Sequence, residues 1–301
     1  MSIGAVIENG KYGPRAILRA SYSERVLKYL KERDVRELEL NSGKGWSGSS
    51  LEFLSELPNL RVLEVHDFAL QSDRAIHALH KLRELHLFTY CSSELRFENF
   101  PFLEECSLEW RPNATSLFGC HGLKAFFVNS YKGRKDLDDF AALQNLERLG
   151  ILNAPVLGIT GIETLKKLQY LRMGNLKRLR RLRGLQELVH LEELNMNACM
   201  TGGAIEEVAA LHKLRRLIMI DCDKIASLKP LLALPYLEEV IFPGSTNIVD
   251  GNLSVLTDLP CLRKVAFKNR RHYSHRREEF PGYRIGHGRQ ERALHSTRSD
   301  S

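Results

Sequence analysis

Residues 143–151 read Leu143-Gln144-Asn145-Leu146-Glu147-Arg148-Leu149-Gly150-Ile151, and their apolar spacing returns four more times by residue 242. The returns are Leu165, Leu168, Leu171, Met173; Leu188, Leu191, Leu194, Met196; Leu211, Leu214, Leu217, Met219; and Leu234, Leu237, Val240, Phe242. A fixed period decides the architecture before any local assignment does. The frame extends back through Cys120, Leu123, Phe126, Val128; Phe100, Leu103, Cys106, Leu108; Leu79, Leu82, Leu85, Leu87; and Leu57, Leu60, Leu63, Val65. A clipped first copy stands at Val35, Leu38, Leu40, and a last one at Leu259, Leu262, Val265, Phe267. From the second anchor at residue 35 to that at residue 262 there are eleven copies, spaced by an average of about 22.7 residues.

Each copy contains two kinds of segment. The alternation in Leu194-Asn195-Met196 puts two apolar side chains on one face of a short strand and a third residue on the other. Between strands the period becomes three, as in Leu176, Leu179, Leu182, Leu185, Leu188 and Leu191. On an α-helix such a row would spiral off the buried face within two turns, whereas a 3₁₀ geometry eclipses residues three apart. The return limbs are therefore expected to be 3₁₀ or irregular. Ile225, Leu228, Leu231, Leu234 and Leu253, Leu256, Leu259 repeat the device. No copy can bury its leucines alone, so neighbours must stack into a parallel sheet, with the limbs on the outside. Eleven strands at roughly 4.8 Å give a face on the order of 50 Å long.

From about Val35 to Phe267 the chain resembles the leucine-rich repeat proteins with repeats near 22 residues, the class that includes bacterial internalins. The resemblance implies an α/β fold, a leucine-rich repeat solenoid with its parallel sheet on the concave face, and a bacterial source. The crossover rule for parallel strands makes it right-handed. It says little about function, because such proteins bind many unrelated partners.

With 43% hydrophobic residues the chain can sustain a continuous core. Its net charge of +7 invites a nucleic-acid reading. Between Lys268 and Ser301, however, nine basic residues face four acidic ones, so +5 of that charge sits in the tail and the repeat body is close to neutral. The start, Met1-Ser2-Ile3-Gly4-Ala5-Val6-Ile7, lacks the basic and long apolar regions of a signal peptide, and nowhere do eighteen apolar residues run together. A cytoplasmic protein without a membrane partner is expected. Of the six cysteines, Cys106, Cys120 and Cys261 sit in or beside the leucine frame, and Cys199 and Cys222 fall three residues after Met196 and Met219. That is a core pattern, with no Cys-x-x-Cys pair for a disulfide framework or zinc.

Residues 1–34 lie outside the repeat and are read as an N-terminal cap, needed to cover an open sheet edge. Asn9-Gly10 is a hairpin turn, Ile17-Leu18 begins a second strand, and Ser21 with Glu24 forms a capping box for a helix carrying Val26, Leu27 and Leu30. The glycine-rich insertion at residues 41–50, with Lys44, has the wrong residue order for a phosphate-binding loop, and Trp46 is read as its anchor. Trp110, Arg111, Pro112 and Phe118 interrupt repeats four and five and are expected to distort the face. The run Lys177-Arg178-Leu179-Arg180-Arg181-Leu182-Arg183 keeps its leucines inward, which turns its charges outward to solvent. The repeats, 35–267, are followed by a C-terminal segment, 268–301. Its first part closes the solenoid, and beyond about Gly286 it is basic and disordered.

Strand alternation also names the side chains of the inner face. Glu39, Glu64 and Glu84 form an early stack of carboxylates, which repel one another across strands and so await a cation or a basic partner surface. His66 and His86 lie among them but in different columns, against a metal site. Further along come Phe88, Phe127, Arg148, Tyr170, Arg172 and Asn195, where Tyr and Arg are favoured interface anchors. Ile218, Ile220 and Ile241 then form an apolar patch that needs a cover. No nucleophile, base and orienting residue fall together. The sequence thus points to a non-catalytic scaffold without cofactor or metal. It is expected to be monomeric when free and to hold another protein on its concave face, an immunity or antitoxin-like binder being one form of that role. The alternative is nucleic-acid association through the basic tail and the 177–183 run, which lacks interleaved aromatic residues.

Overall fold

The computed structural model describes residues 4–200 and 205–282. Within them the alternating segments become one strand per copy. These are β3 (Glu37–Asn41), β4 (Val62–His66), β5 (Glu84–Phe88), β6 (Glu105–Glu109), β7 (Ala125–Asn129) and β8 (Arg148–Leu152), then β9 (Tyr170–Gly174), β10 (Glu193–Asn197), β11 (Arg216–Ile220), β13 (Glu239–Phe242) and β15 (Lys264–Phe267). Ahead of them an antiparallel hairpin, β1 (Ala5–Asn9) and β2 (Pro14–Leu18), leads into helix α1 (Glu24–Glu32). The main sheet follows chain order throughout. Only β12 (Lys224–Ile225) and β14 (Asn247–Ile248) leave it, to form a small parallel ladder of their own.

Every pairing from β2 onward is parallel, in a register that sets each leucine beside its counterpart in the next copy: Leu149 by Leu171, Leu171 by Leu194, Leu194 by Leu217. Those side chains are fully buried, as is the threefold row from Leu176 to Leu191 apart from a 3% trace at Leu182. Return limbs are short 3₁₀ segments, such as Leu185–Glu187 and Glu206–Ala210, and none is a long helix. The threefold spacing of leucines is what a 3₁₀ limb needs to keep one face on the core.

A repeated turn holds the copies in phase. The residue directly after the strand is left-handed in five consecutive copies, at Ser130, Asn153, Asn175, Ala198 and Asp221, with φ between 51° and 59°. In each case its backbone N–H donates to a carbonyl of the following copy, as from Asn153 to Gly174 at 2.9 Å and from Ala198 to Ile220 at 2.8 Å. Asparagine tolerates this conformation better than most residues. Two of the asparagines also ladder through their side chains, Asn153 donating to Asn129 at 2.6 Å and Asn175 to Asn153.

Several local expectations are corrected. Helix α1 is capped by Ser23, whose Oγ accepts from Val26 N, and not by Ser21. Ile17 and Leu18 end β2 instead of beginning a strand. Repeats four and five leave the sheet intact, since β5, β6 and β7 keep their register. Their irregular residues rearrange the interior of the limb instead. Trp110, Phe118, Tyr131 and Phe140 pack into one aromatic cluster, with Tyr131 donating to Asp139. Arg111 turns inward to a fully buried Asp73, 2.5 Å away, and donates also to the Cys91 carbonyl at 2.8 Å.

At the far end Phe280 and Tyr273 pack edge-on against Phe267, which stacks on Phe242. Tyr283, Ile285 and the basic segment 287–301 lie outside the described residues.

Candidate binding face

Three inward-facing rows run along the concave side of the sheet, one residue per strand in each. The strand-start row carries Glu84, Glu105, Ala125, Arg148, Tyr170, Glu193, Arg216, Glu239 and Lys264, and charge alternates along much of it. Arg148 reaches back over β7 to Glu105 at 2.9 Å. Arg216 bridges Glu193 at 2.6 Å and Glu239 at 3.4 Å, and Lys264 stands 3.6 Å from Glu239. This ladder replaces like-charge repulsion with pairing.

The early glutamates are not free. Glu39, expected on display, is 1% exposed and lies 2.8 Å from Arg15 and 2.6 Å from Lys44. Arg15 also stands 3.5 Å from Glu64, whose other oxygen accepts from His66 Nε2 at 2.9 Å. Glu84 accepts from Lys11 at 2.6 Å and from the Tyr12 hydroxyl at 3.1 Å. The N-terminal hairpin thus supplies the cations that the carboxylate stack was expected to seek from a partner. Burial alone would raise the Glu84 carboxyl, but hydrogen bonds and charge from His86 and Lys11 outweigh it and hold it at about 2. Glu64 is likewise held low, against its burial, by His66, His86 and Arg15. The two histidines serve different carboxylates, and among the described residues no group of three His, Cys, Asp or Glu is arranged to hold a metal ion.

Parallel register brings aromatic residues of adjacent copies together. His66 stacks on Phe88 at 4.4 Å, and Phe127 approaches Tyr170 at 6.3 Å across β8, where Gly150 leaves room. A Cβ at Gly150 would fall 2.2 Å from the Phe127 ring, and one at Gly174 would fall 2.5 Å from the Leu152 side chain, so both apolar groups lie over a neighbouring glycine. Arg172 stands on β9 between these groups, opposite Gly150 and Asn195. Ile218 is only 8% exposed between Asn195 and Ile241, so its own row closes it, while Ile220 and Ile241 remain half-buried and keep part of the expected patch open.

Sequence reasoning missed Phe68 and Tyr90. They are 52% and 70% exposed, and their rings lie 4.6 Å apart on the rim just beyond β4 and β5. Their common offset, two residues after His66 and Phe88, was the available signal.

Four of the six thiols, those of Cys91, Cys106, Cys199 and Cys222, belong to the interior. Cys199 Sγ and Cys222 Sγ donate to the carbonyls of Met173 and Met196, and burial pushes them up to about 11 and about 12. On the convex side the charges of residues 177–183 point outward while Leu179 and Leu182 stay buried. Arg180 donates to its own limb's carbonyls, and Arg181 stands 3.7 Å from Asp136. Among the described residues no helix is long and apolar enough to cross a membrane.

No protein-family model and no curated protein matches the sequence. Solved structures do. An internalin, InlF, from Listeria monocytogenes is 18% identical over 86% of this chain and 83% of its own, with a TM-score of 0.60. A leucine-rich repeat protein of Leptospira interrogans is 18% identical over 85% and 78%, with a TM-score of 0.54. The plant peptide hormone receptor RGFR1, solved in complex with RGF2, is 17% identical over 87% of this chain, which spans 52% of that receptor's, with a TM-score of 0.52. Repeat period, strand register and these likenesses agree that the chain has the leucine-rich repeat fold.

Proposed function

We propose that the chain is a non-catalytic binding protein that holds another protein on its concave face. The observation that carries this reading is a strip of aromatic and aliphatic side chains standing off a rigid sheet: Phe68 and Tyr90 at the rim, then the His66 and Phe88 stack, Phe127, Leu152 and Tyr170. Aromatic side chains with a polar end bury much area at little entropic cost, which is why they anchor interfaces. The plant receptor solved with RGF2 lends support from a similar fold, without identifying a partner here. Nucleic-acid association is less well supported. The 177–183 run has no aromatic residue to stack a base, and two of its arginines are engaged within the chain. Six free thiols, most of them buried, support a reducing compartment such as the cytoplasm.

A photo-crosslinking residue placed at Phe127 or Tyr90, and separately at Arg178 or Tyr236 on the outside, tests the proposal in extracts of the native host. One discrete protein adduct from the first pair and none from the second is expected. Adducts from the second pair alone, or adducts to nucleic acid, would overturn it.

A further inference from the structure

We propose that the centre of the concave face, at Arg172, is a seat for an aspartate or glutamate side chain of the partner protein, with apolar partner residues to either side. This rests on the reading of the concave face as a protein-binding surface and adds the chemistry of what is bound.

The argument begins with the charges of the face. Glu39, Glu64, Glu84, Glu105, Glu193 and Glu239 each have a cation of this chain within 4 Å. The cations Arg15, Lys11, Lys44, Arg148, Arg216 and Lys264 are the ones so engaged. Among the described strand residues facing inward, Arg172 is the arginine left without a carboxylate. Its register neighbours are Gly150, which has no side chain, and Asn195, which is neutral. Its charge is felt by Glu193 on the next strand, but Glu193 is held at 2.6 Å by Arg216. Glu109, three strands away on β6, accepts from Asn129 and has no cation among the described residues, but around β9 the charge still unmatched is positive. This reverses the expectation of a basic partner, because the hairpin's Lys11 and Arg15 have already neutralised the early carboxylates.

The surroundings of Arg172 are suited to such a seat. Phe127 lies over Gly150 and Leu152 over Gly174, so the floor on its β8 side is apolar, and Tyr170 stands two residues before it on the same face. A guanidinium on an apolar floor attracts a carboxylate more strongly than one surrounded by water, and its planar fork can donate two parallel hydrogen bonds. Apolar side chains flank the seat on both sides, with Phe127 two strands before it and the half-buried Ile220 and Ile241 two and three strands after. A chain terminus would use one flank only, so an internal acidic residue fits the face better. Two strand spacings are roughly 10 Å, about three residues of extended chain. The partner segment is then an acidic residue with apolar residues about three positions to each side.

The test is selection of displayed random peptides, fused at both ends so that no free terminus is presented, on the full-length protein. Expected are binders with one acidic residue and apolar residues about three positions away. A selected peptide should lose about tenfold in affinity on Arg172→Gln, and as much on its own acid-to-amide change, while the two changes together cost no more than either alone. Arg172→Lys should recover part of the loss. Among the described residues Arg172 has no ion pair, so Arg172→Gln should melt within about 2 °C of the parent. Lysine-rich binders, absence of enrichment, or binding lost on Phe127→Ala but indifferent to Arg172→Gln would overturn the acidic seat, the last while leaving the concave reading intact. Binding indifferent to both substitutions would sink both.

Discussion

Nη2 of Arg15, on β2, lies 2.8 Å from Oε2 of Glu39, on β3, and Glu39 is almost wholly enclosed. The pair joins the N-terminal hairpin to the first repeat, and Lys44, 2.6 Å from the other oxygen of Glu39, closes the site from the insertion. Breaking a buried pair from one side leaves a charge that water cannot reach. Arg15→Met should therefore cost about 1–3 kcal/mol in urea unfolding, with Lys44 limiting the loss. Adding Glu39→Gln should cost less than the sum of the two single changes. A loss from Arg15→Met within experimental error would mean that the hairpin is held by backbone pairing alone.

The second buried pair, Asp73 and Arg111, makes a sharper case. Asp73 is fully buried. It receives Arg111, Thr89 and Ser93, while Arg111 Nε has no partner among the described residues. Arg111→Met alone should destabilise by about 3–5 kcal/mol because it strands the carboxylate. Asp73→Leu combined with Arg111→Met should lose less than Arg111→Met alone, since no charge is then buried. Equal losses in single and double variants, read by denaturant midpoint, would show that the pair's packing matters and its charge does not.

The leucine frame was legible because its side chains report on a repeating environment. Each of Leu149, Leu171, Leu194 and Leu217 meets its own counterpart, so local pattern and tertiary contact agree. The chemistry of the face was less legible. Alternation assigned Glu39, Glu64 and Glu84 to the inner side, but a strand pattern carries no information about a hairpin 24 to 73 residues earlier whose Lys11 and Arg15 fold against them. Arg111 was read as an interruption of the repeat, because only its packing against Asp73, 38 residues away, reveals it as an interior residue. Phe68 and Tyr90 escaped because they stand just outside the strands, where the leucine frame is silent.

Acid sensitivity follows from Glu84. Its folded carboxyl, at about 2, lies below the ordinary 4.5, so the stability it contributes is present above pH 4.5 and is lost as pH falls from there toward 2. The most this can amount to is about 3 kcal/mol, and water around the half-exposed Lys11 lowers it. Glu193, raised mainly by burial despite Arg216, acts in the opposite sense and favours the folded state at lower pH. Comparing the parent with Glu84→Gln isolates the first effect. The drop in urea midpoint from pH 7 to pH 3 should be smaller in the variant, and an unchanged drop would remove Glu84 from the account.

Two glycines separate the architecture from the face it presents. At Gly161, φ is 107° and a Cβ would fall 2.3 Å from the backbone carbonyl oxygen of Leu137, so neither the conformation nor the space admits a side chain. Gly161→Ala should cost on the order of 1–3 kcal/mol, because rigid backbone must move. At Gly150 the obstruction is the Phe127 ring, on the solvent side of the sheet, which can turn away. Gly150→Val should therefore leave the melting temperature within about 3 °C of the parent, aided by the strand preference of valine. It should nonetheless displace Phe127 and crowd Arg172, weakening any ligand of the central seat. Gly161→Ala should instead lower the melting temperature while leaving the affinity of the remaining folded protein unchanged. If Gly150→Val unfolds the chain as readily as Gly161→Ala, the Phe127 ring is part of the core, and the concave face offers less open surface than its exposure suggests.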